Sequence, residues 1–231
     1  MKKEILSLSL VTLCFLLTGC LASGSGNYRP PAEAFKDQGF QNSITIDKPF
    51  DEVWAKGISN IGKSFFVINT IEKDSGIINI SYSGKPEDYI ECGTITSEVT
   101  DASGNKRTYV FDANRSFYRY QCVEQGRSGF GTPHPVLLNI TRSVSLEGRF
   151  NVVVQKINNT STIVSVNGRY IVTKDINTDS TAPQFFRGGT MKDTINFNSK
   201  GCERFPGAGN FEGTECCSKN KLESDVLILF K

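Results

Sequence analysis

The stretch 143–176 constrains the fold of this chain more than any other feature. Its two halves, 143–157 and 160–176, have a strand-rich composition, and the polar pair Asn158-Asn159 between them suits a turn, so together they predict a long β-hairpin. Shorter strands are predicted around it. Ile44 and Ile46 alternate with polar neighbours, Phe66, Val67, Ile68 and Ile71 lead into the turn 72–76, and Ile78, Ile80 and Tyr82 form the returning strand. Further strands are predicted over 93–99, 107–112 and 116–123, so antiparallel sheet dominates. The 16 Phe and 7 Tyr fit such a β-rich, folded chain rather than disorder.

One strong helix interrupts the strands. Pro49 suits a first helical position, Asp51 and Glu52 suit the positive end of the helix dipole, and Phe50, Val53, Trp54, Ile58, Ile61 and Phe65 recur at three- and four-residue steps. This predicts a long amphipathic helix over 49–64 packed across the sheet. A short C-terminal helix is predicted within 218–231 from Leu222, Val226, Leu227 and Phe230. The expected class is therefore α+β, with 43–231 as a single domain and a long Gly-rich excursion at 178–215.

The N-terminus carries an address. Lys2 and Lys3 precede an apolar run over 5–17, too short for a stable transmembrane span, and small residues then lead to Cys20. Leu17-Thr18-Gly19-Cys20 resembles the bacterial lipoprotein signal, which implies removal of 1–19 and lipidation of Cys20. Leu21, where an aspartate would resemble an inner-membrane retention signal, favours an outer-membrane destination; the periplasmic face is the expected side, although no residue encodes it. The small polar residues that follow predict a flexible tether across 20–42. A net charge of +2, with Lys and Arg scattered among acids, argues against nucleic acid as a partner.

Export also bears on the remaining cysteines, Cys92, Cys122, Cys202, Cys216 and Cys217, for which disulfides are the default. The count is odd, so one thiol stays free or pairs elsewhere, and the sequence alone allows many pairings. Cys202, Cys216 and Cys217 lack the paired spacing of a structural zinc site, and no metal or cofactor is expected.

Pro49-Phe50-Asp51-Glu52-Val53-Trp54, then Phe66-Val67-Ile68, then Asp74-Ser75-Gly76-Ile77-Ile78, resemble the BamC-like helix-grip domains of bacterial envelope lipoproteins. The resemblance spans roughly the first quarter of the mature chain and implies a helix packed across an antiparallel sheet. Tyr89-Ile90-Glu91-Cys92-Gly93, with Cys217 ahead of a terminal helix, is similar to an element of small secreted lipoproteins and implies a Cys92–Cys217 bridge. Cys202 would then join Cys216 across the Gly- and Pro-rich loop, leaving Cys122 buried and unreactive.

No catalytic constellation stands out. His134, the only histidine, lies between Pro133 and Pro135 with no orienting partner, so a solvated loop histidine is expected rather than a His134–Cys122 pair. The Gly-rich run 126–131 lacks the Lys-Ser/Thr ending of a phosphate loop. Phe205 and Phe211 flank a second Gly-rich loop and are expected to tuck beneath it; Tyr109, Phe111, Phe117, Tyr118 and Tyr120 either pack a core or line a groove. The expectation is a non-enzymatic, outer-membrane-anchored binding or scaffold module with an envelope protein partner. The alternative is a periplasmic carrier of a small hydrophobic ligand or lipid, held in a helix-grip cavity.

Overall fold

The computed structural model describes residues 22–32, 41–207 and 213–231; Cys20 and Phe211 lie outside them. Strands β9 (Pro133–Lys156) and β10 (Thr162–Ser180) form the long hairpin, in antiparallel register from Thr162 opposite Lys156 to Ser180 opposite Leu138. Side chains alternate between the faces of a strand. Leu138, Ile140, Val144, Leu146, Phe150, Val152 and Val154 therefore share one buried face of β9, matched on β10 by Val164, Val166, Tyr170 and Val172. Along its outer side β9 pairs first with β8 (Phe117–Arg127) and then with β4 (Ile77–Gly84), which in turn pairs with β3 (Val67–Glu72). β10 pairs at its start with β2 (Ser43–Ile46) and further on with β11 (Gly189–Asn198). The result is a seven-stranded antiparallel sheet with the hairpin as its spine.

The buried face of this spine is covered by different elements along its length. Helix α1 (Phe50–Ile61) lies at the turn end, where Phe50 approaches Gly76, whose carbonyl accepts the Val154 N–H of β9, and buries Val53, Trp54, Gly57 and Ile61. Helix α2 (Lys221–Ile228) follows along β10, burying Leu222, Glu223, Val226 and Leu227. Gly57 lets the two helices meet: a Cβ there would stand 2.1 Å from the ring of Phe230, so only glycine leaves space for that ring. Beyond α2 a second sheet takes over, with β1 (Ser23–Arg29), β6 (Thr94–Thr100) and β7 (Lys106–Asp112) in the order β1-β6-β7. It is joined to β8 where the Ser97 hydroxyl donates to the Gln121 carbonyl at 2.7 Å.

This overturns the expected α+β helix-grip class. The chain is mostly β, with 57% strand against 10% helix, and no long amphipathic helix crosses a sheet among the described residues. Pro49 is the cap rather than the first helical residue, and after Ile61 the chain turns through Gly62 and Ser64, so Phe65, counted on the helical face, lies beyond the helix and is exposed. The physical reason is length. The 12 residues of α1 span about 18 Å, whereas the 24 residues of β9 amount to roughly 80 Å of extended chain. Such a helix covers one end of the spine, and the rest of the apolar face has to be buried by α2 and the second sheet. α2 itself is the short C-terminal helix that the sequence predicts.

The expected tether over 20–42 is corrected for Ser23–Arg29, which is edge strand β1, paired in register from Ser23 opposite Thr100 to Arg29 opposite Thr94, while 20–21 and 33–40 lie outside the described residues. Smallness, not flexibility, is what this segment supplies. A Cβ on Gly24 would lie 2.8 Å from the Glu98 carbonyl oxygen and 3.1 Å from Val123, so a larger residue would push β1 away from β8. The Gly-rich excursion 178–215 is likewise structured in large part, since it contains the end of β10, all of β11 and the short strand β12 (Cys202–Arg204).

A third small sheet, in the order β12-β13-β5, holds the cysteines, with β13 (Glu215–Ser218) between β12 and β5 (Ile90–Glu91). The bridges are Cys92–Cys216 and Cys202–Cys217, the reverse of the expected Cys92–Cys217 and Cys202–Cys216. Register explains the exchange. Cys202 stands directly opposite Cys217, and Glu91 opposite Cys217 on the other side places Cys92 against Cys216. Neighbouring residues on a strand face opposite sides, so each of the adjacent cysteines can reach only the partner that shares its face.

Candidate binding site

Where the second sheet replaces the helices, the interior is not filled. A cleft of ≈ 660 Å³ lies there, bordered by β1, β6, β8, β9, β10 and the segment 186–191. Its size falls within the range of small-molecule sites. The inward row of β9 supplies Leu138, Ile140 and Arg142, and that of β10 supplies Lys174, Ile176 and Thr178. An apolar surface is thus interrupted by two cations. Arg142 stands opposite Ile176, and Lys174 one inward position further along β10, which makes the two diagonal neighbours about 7–8 Å apart at the backbone.

Arg142 is 4% exposed. Its Nη2 donates to the Ala113 carbonyl at 2.9 Å, while its Nε–H, fully buried, has no acceptor among the described residues. Burial lowers its pKa, opposed by the Tyr120 and Tyr28 hydroxyls; arginine nevertheless keeps its charge in proteins. Lys174, equally buried, pairs with Asp193 at 3.4 Å, and its ammonium lies 4.5 Å from the ring centre of Phe205. Burial and then the nearby Arg142 lower its pKa, against the pull of Asp193. Asp193 is the carboxylate paired with Lys174, and Glu124 also borders the cleft. The Tyr120 hydroxyl, pushed up to about 12 chiefly by burial, stays neutral and adds no charge. Tyr28 is held in place instead: its hydroxyl accepts the Glu215 N–H at 2.8 Å and lies 3.1 Å from the Cys92 carbonyl, and burial raises its pKa.

A buried arginine with an unused donor, on an otherwise apolar surface, is chemically suited to an anionic group carried by an apolar body. Nucleophilic chemistry is not assembled here. Cys122, the free cysteine among the described residues, borders the cleft, but burial and then Glu124 push its thiol up to about 12, and a neutral thiol is a poor nucleophile. His134 is not beside it. His134 pairs with Gly126, four residues along β8 from Cys122 and hence roughly 13 Å away, and its ring packs on Phe185 with centroids 4.0 Å apart.

The other expected residues separate by role. Gly126 and Arg127 end β8, and a tight turn follows. Phe205 is buried, as the tucked-loop expectation has it. Within the aromatic stripe, Phe111 stacks on Tyr118 at 3.9 Å and is buried, Phe117 is exposed, and Tyr120 alone borders the cleft. No group of three or more potential metal ligands occurs among the described residues. Sequence reasoning missed Arg142 and Lys174. Their signal is a single cation set into an alternating apolar row: Leu138, Ile140, Arg142, Val144, Leu146 on one strand and Tyr170, Val172, Lys174, Ile176 on the other. Comparison with protein-family models, with curated proteins and with solved structures returned no match.

Proposed function

We propose that this chain is a lipid-anchored envelope protein that binds, without transforming it, a small amphiphile carrying one acidic group. The acid sits against Arg142 and Lys174, and the apolar body lies along Leu138, Ile140 and Ile176. One observation carries this reading: Arg142, which borders a cleft whose remaining floor is largely apolar, keeps a buried Nε–H with no acceptor among the described residues. Leaving a charged donor unmet in the interior is costly, and a ligand acid would meet it with a charge-assisted hydrogen bond. The carrier, the alternative reading of the sequence, is thereby preferred here over the scaffold, with its proposed site in the space between two sheets rather than beneath the helix. The anchor is a lipid on Cys20, as the resemblance of Leu-Thr-Gly-Cys to a lipoprotein signal implies, with the outer membrane favoured by Leu21 and its periplasmic face part of the proposal.

Mass spectrometry of lipids extracted from protein purified out of its native envelope tests this. An acidic amphiphile should accompany the wild type in stoichiometric amount and be lost from Arg142→Met. A Cys20→Ser chain should leave the membrane fraction. Equal recovery of the amphiphile from both proteins would contradict the assignment.

A second reading, a scaffold within an envelope protein assembly, is favoured by the outermost strand of the large sheet. β3 leaves Val67 and Ile71 exposed, with Phe65 exposed just ahead of it. An edge of this kind suits pairing with a strand of a partner protein. Crosslinking from Val67 in intact cells should then capture a protein partner, and Val67→Lys should abolish that capture.

A further inference from the structure

The start of β1 fixes where a lipid on Cys20 would hold the molecule. Two residues, Leu21 and Ala22, separate Cys20 from the start of β1 at Ser23, a reach of about 10 Å when fully extended. Gly24 packs against Val123, from which β8 runs on to Arg127 and the turn into β9. The lipid therefore emerges at the end of the molecule that carries this turn, opposite the end where α1 sits.

That end has the surface a bilayer requires. Phe130, at the tip of the turn, is 100% exposed. It is held outward by a bonded frame: the Gly131 N–H donates to the Ser128 carbonyl at 2.8 Å, the Ser128 N–H to the Thr132 carbonyl at 2.9 Å, and the Thr132 N–H to the Ser128 hydroxyl at 3.1 Å. The segment 185–188 lies beside it, with the Arg127 N–H donating to the Phe185 carbonyl at 3.0 Å. Arg127 and Arg187 are exposed here, beside the exposed acid Asp179. Phe186, Arg187 and Gly188 also border the cleft, so the cleft reaches the same end.

We infer that this end docks on the lipid bilayer surface, with Phe130 inserted below the headgroups and the cleft facing the membrane that supplies its ligand. The inference rests on the lipid anchor proposed above. A single exposed phenylalanine is ordinary on a protein surface; here it stands within reach of an acyl anchor, where an aromatic ring gains from the interface. Its ring then lies about 5–10 Å into the headgroup and acyl boundary.

The test uses the mature chain reconstituted into vesicles of zwitterionic phospholipid with bromine on the upper acyl chain. Phe130→Trp is compared with Ile157→Trp, which places the probe just after β9 at the opposite end of the spine, where Ile157 is also exposed. Trp54, on the buried face of α1, is the common internal reference and reports that each variant is folded. The added emission of Phe130→Trp should be quenched, and that of Ile157→Trp should not. An unquenched Phe130→Trp, or equal quenching of both, would overturn the docking. Mass measurement of the N-terminal peptide separates the two premises. Lipid on Cys20 without quenching refutes the docking alone, whereas an unmodified Cys20 refutes the anchor and the docking with it.

Discussion

The two halves of the hairpin spine solve the same problem in different ways. Both present an alternating apolar face, and both bury a charged side chain within it. In the helix-covered half the interior is filled: Phe150 meets Tyr170 edge to face at 6.1 Å, Tyr170 stacks on Phe197 at 5.5 Å, and the buried Glu223 of α2 accepts the Tyr170 hydroxyl at 2.6 Å. Arg142 Nε and Glu223 Oε1 alike lack a hydrogen-bond partner among the described residues, but in the sheet-covered half Arg142 borders open space. A helix sends bulky side chains down into the sheet. Edge strand β1 offers Ser23-Gly24-Ser25-Gly26, which fills little. The contrast teaches that the cleft arises from what covers the spine, not from the spine itself.

The largest expected effect comes from separating the halves. Cys92 leads into β6 of the second sheet and Cys216 leads into α2, so their bridge joins one cover to the other across 124 residues of sequence. Replacing both with Ala should cost about 4–5 kcal/mol in chemical denaturation. Removing Cys202–Cys217, with a separation of 15, should cost nearer 3 kcal/mol. Truncating the filled half should come next. Phe150→Ala should lose about 3–5 kcal/mol, while Ile140→Ala, beside space that is already open, should lose about 2 kcal/mol. Equal losses at the two sites would erase the contrast. Arg142→Met should raise stability by about 1–2 kcal/mol while removing ligand, because an apolar residue replaces a buried charge without a full set of partners.

The smallest effect near neutrality, and the one that depends on pH, belongs to Glu223. Burial raises its pKa above the ordinary 4.5, so the folded state holds the proton longer than the unfolded chain does. Its contribution is fully present below the unfolded value and is lost as pH rises through the folded value. Glu223→Gln should therefore flatten the decline of Tm with rising pH above about 4.5, leaving the variant the more stable protein at alkaline pH. A wild-type Tm that rises with pH over that window would contradict the assigned direction.

The legibility of this fold in its sequence follows the same division. The hairpin 143–176 and the neighbouring strands could be read because residue type and turn chemistry are local signals, and they persist in β8, β9 and β10. The covers could not be read this way. The helical period ran on to Phe65 although the chain turns at Gly62, and the Ser-Gly run of β1 carries no strand signal because its role is to be thin against Val123. The disulfide exchange has the same origin, since pairing is decided by the register of β12-β13-β5 and not by spacing along the chain. Of the candidate site, Cys122 and Tyr120 were noticed as residues, but their grouping with Arg142 and Lys174 depends on which face of each strand looks inward.

The most direct measurement is calorimetric titration of the wild type and Arg142→Met with a long-chain fatty acid and with the alcohol of the same chain length. The proposed cleft predicts that the wild type binds the acid about tenfold or more tightly than the alcohol, through the charge-assisted bond to Arg142. It also predicts that Arg142→Met binds both alike. Equal affinity of the wild type for acid and alcohol, or an acid preference that survives in Arg142→Met, would contradict it.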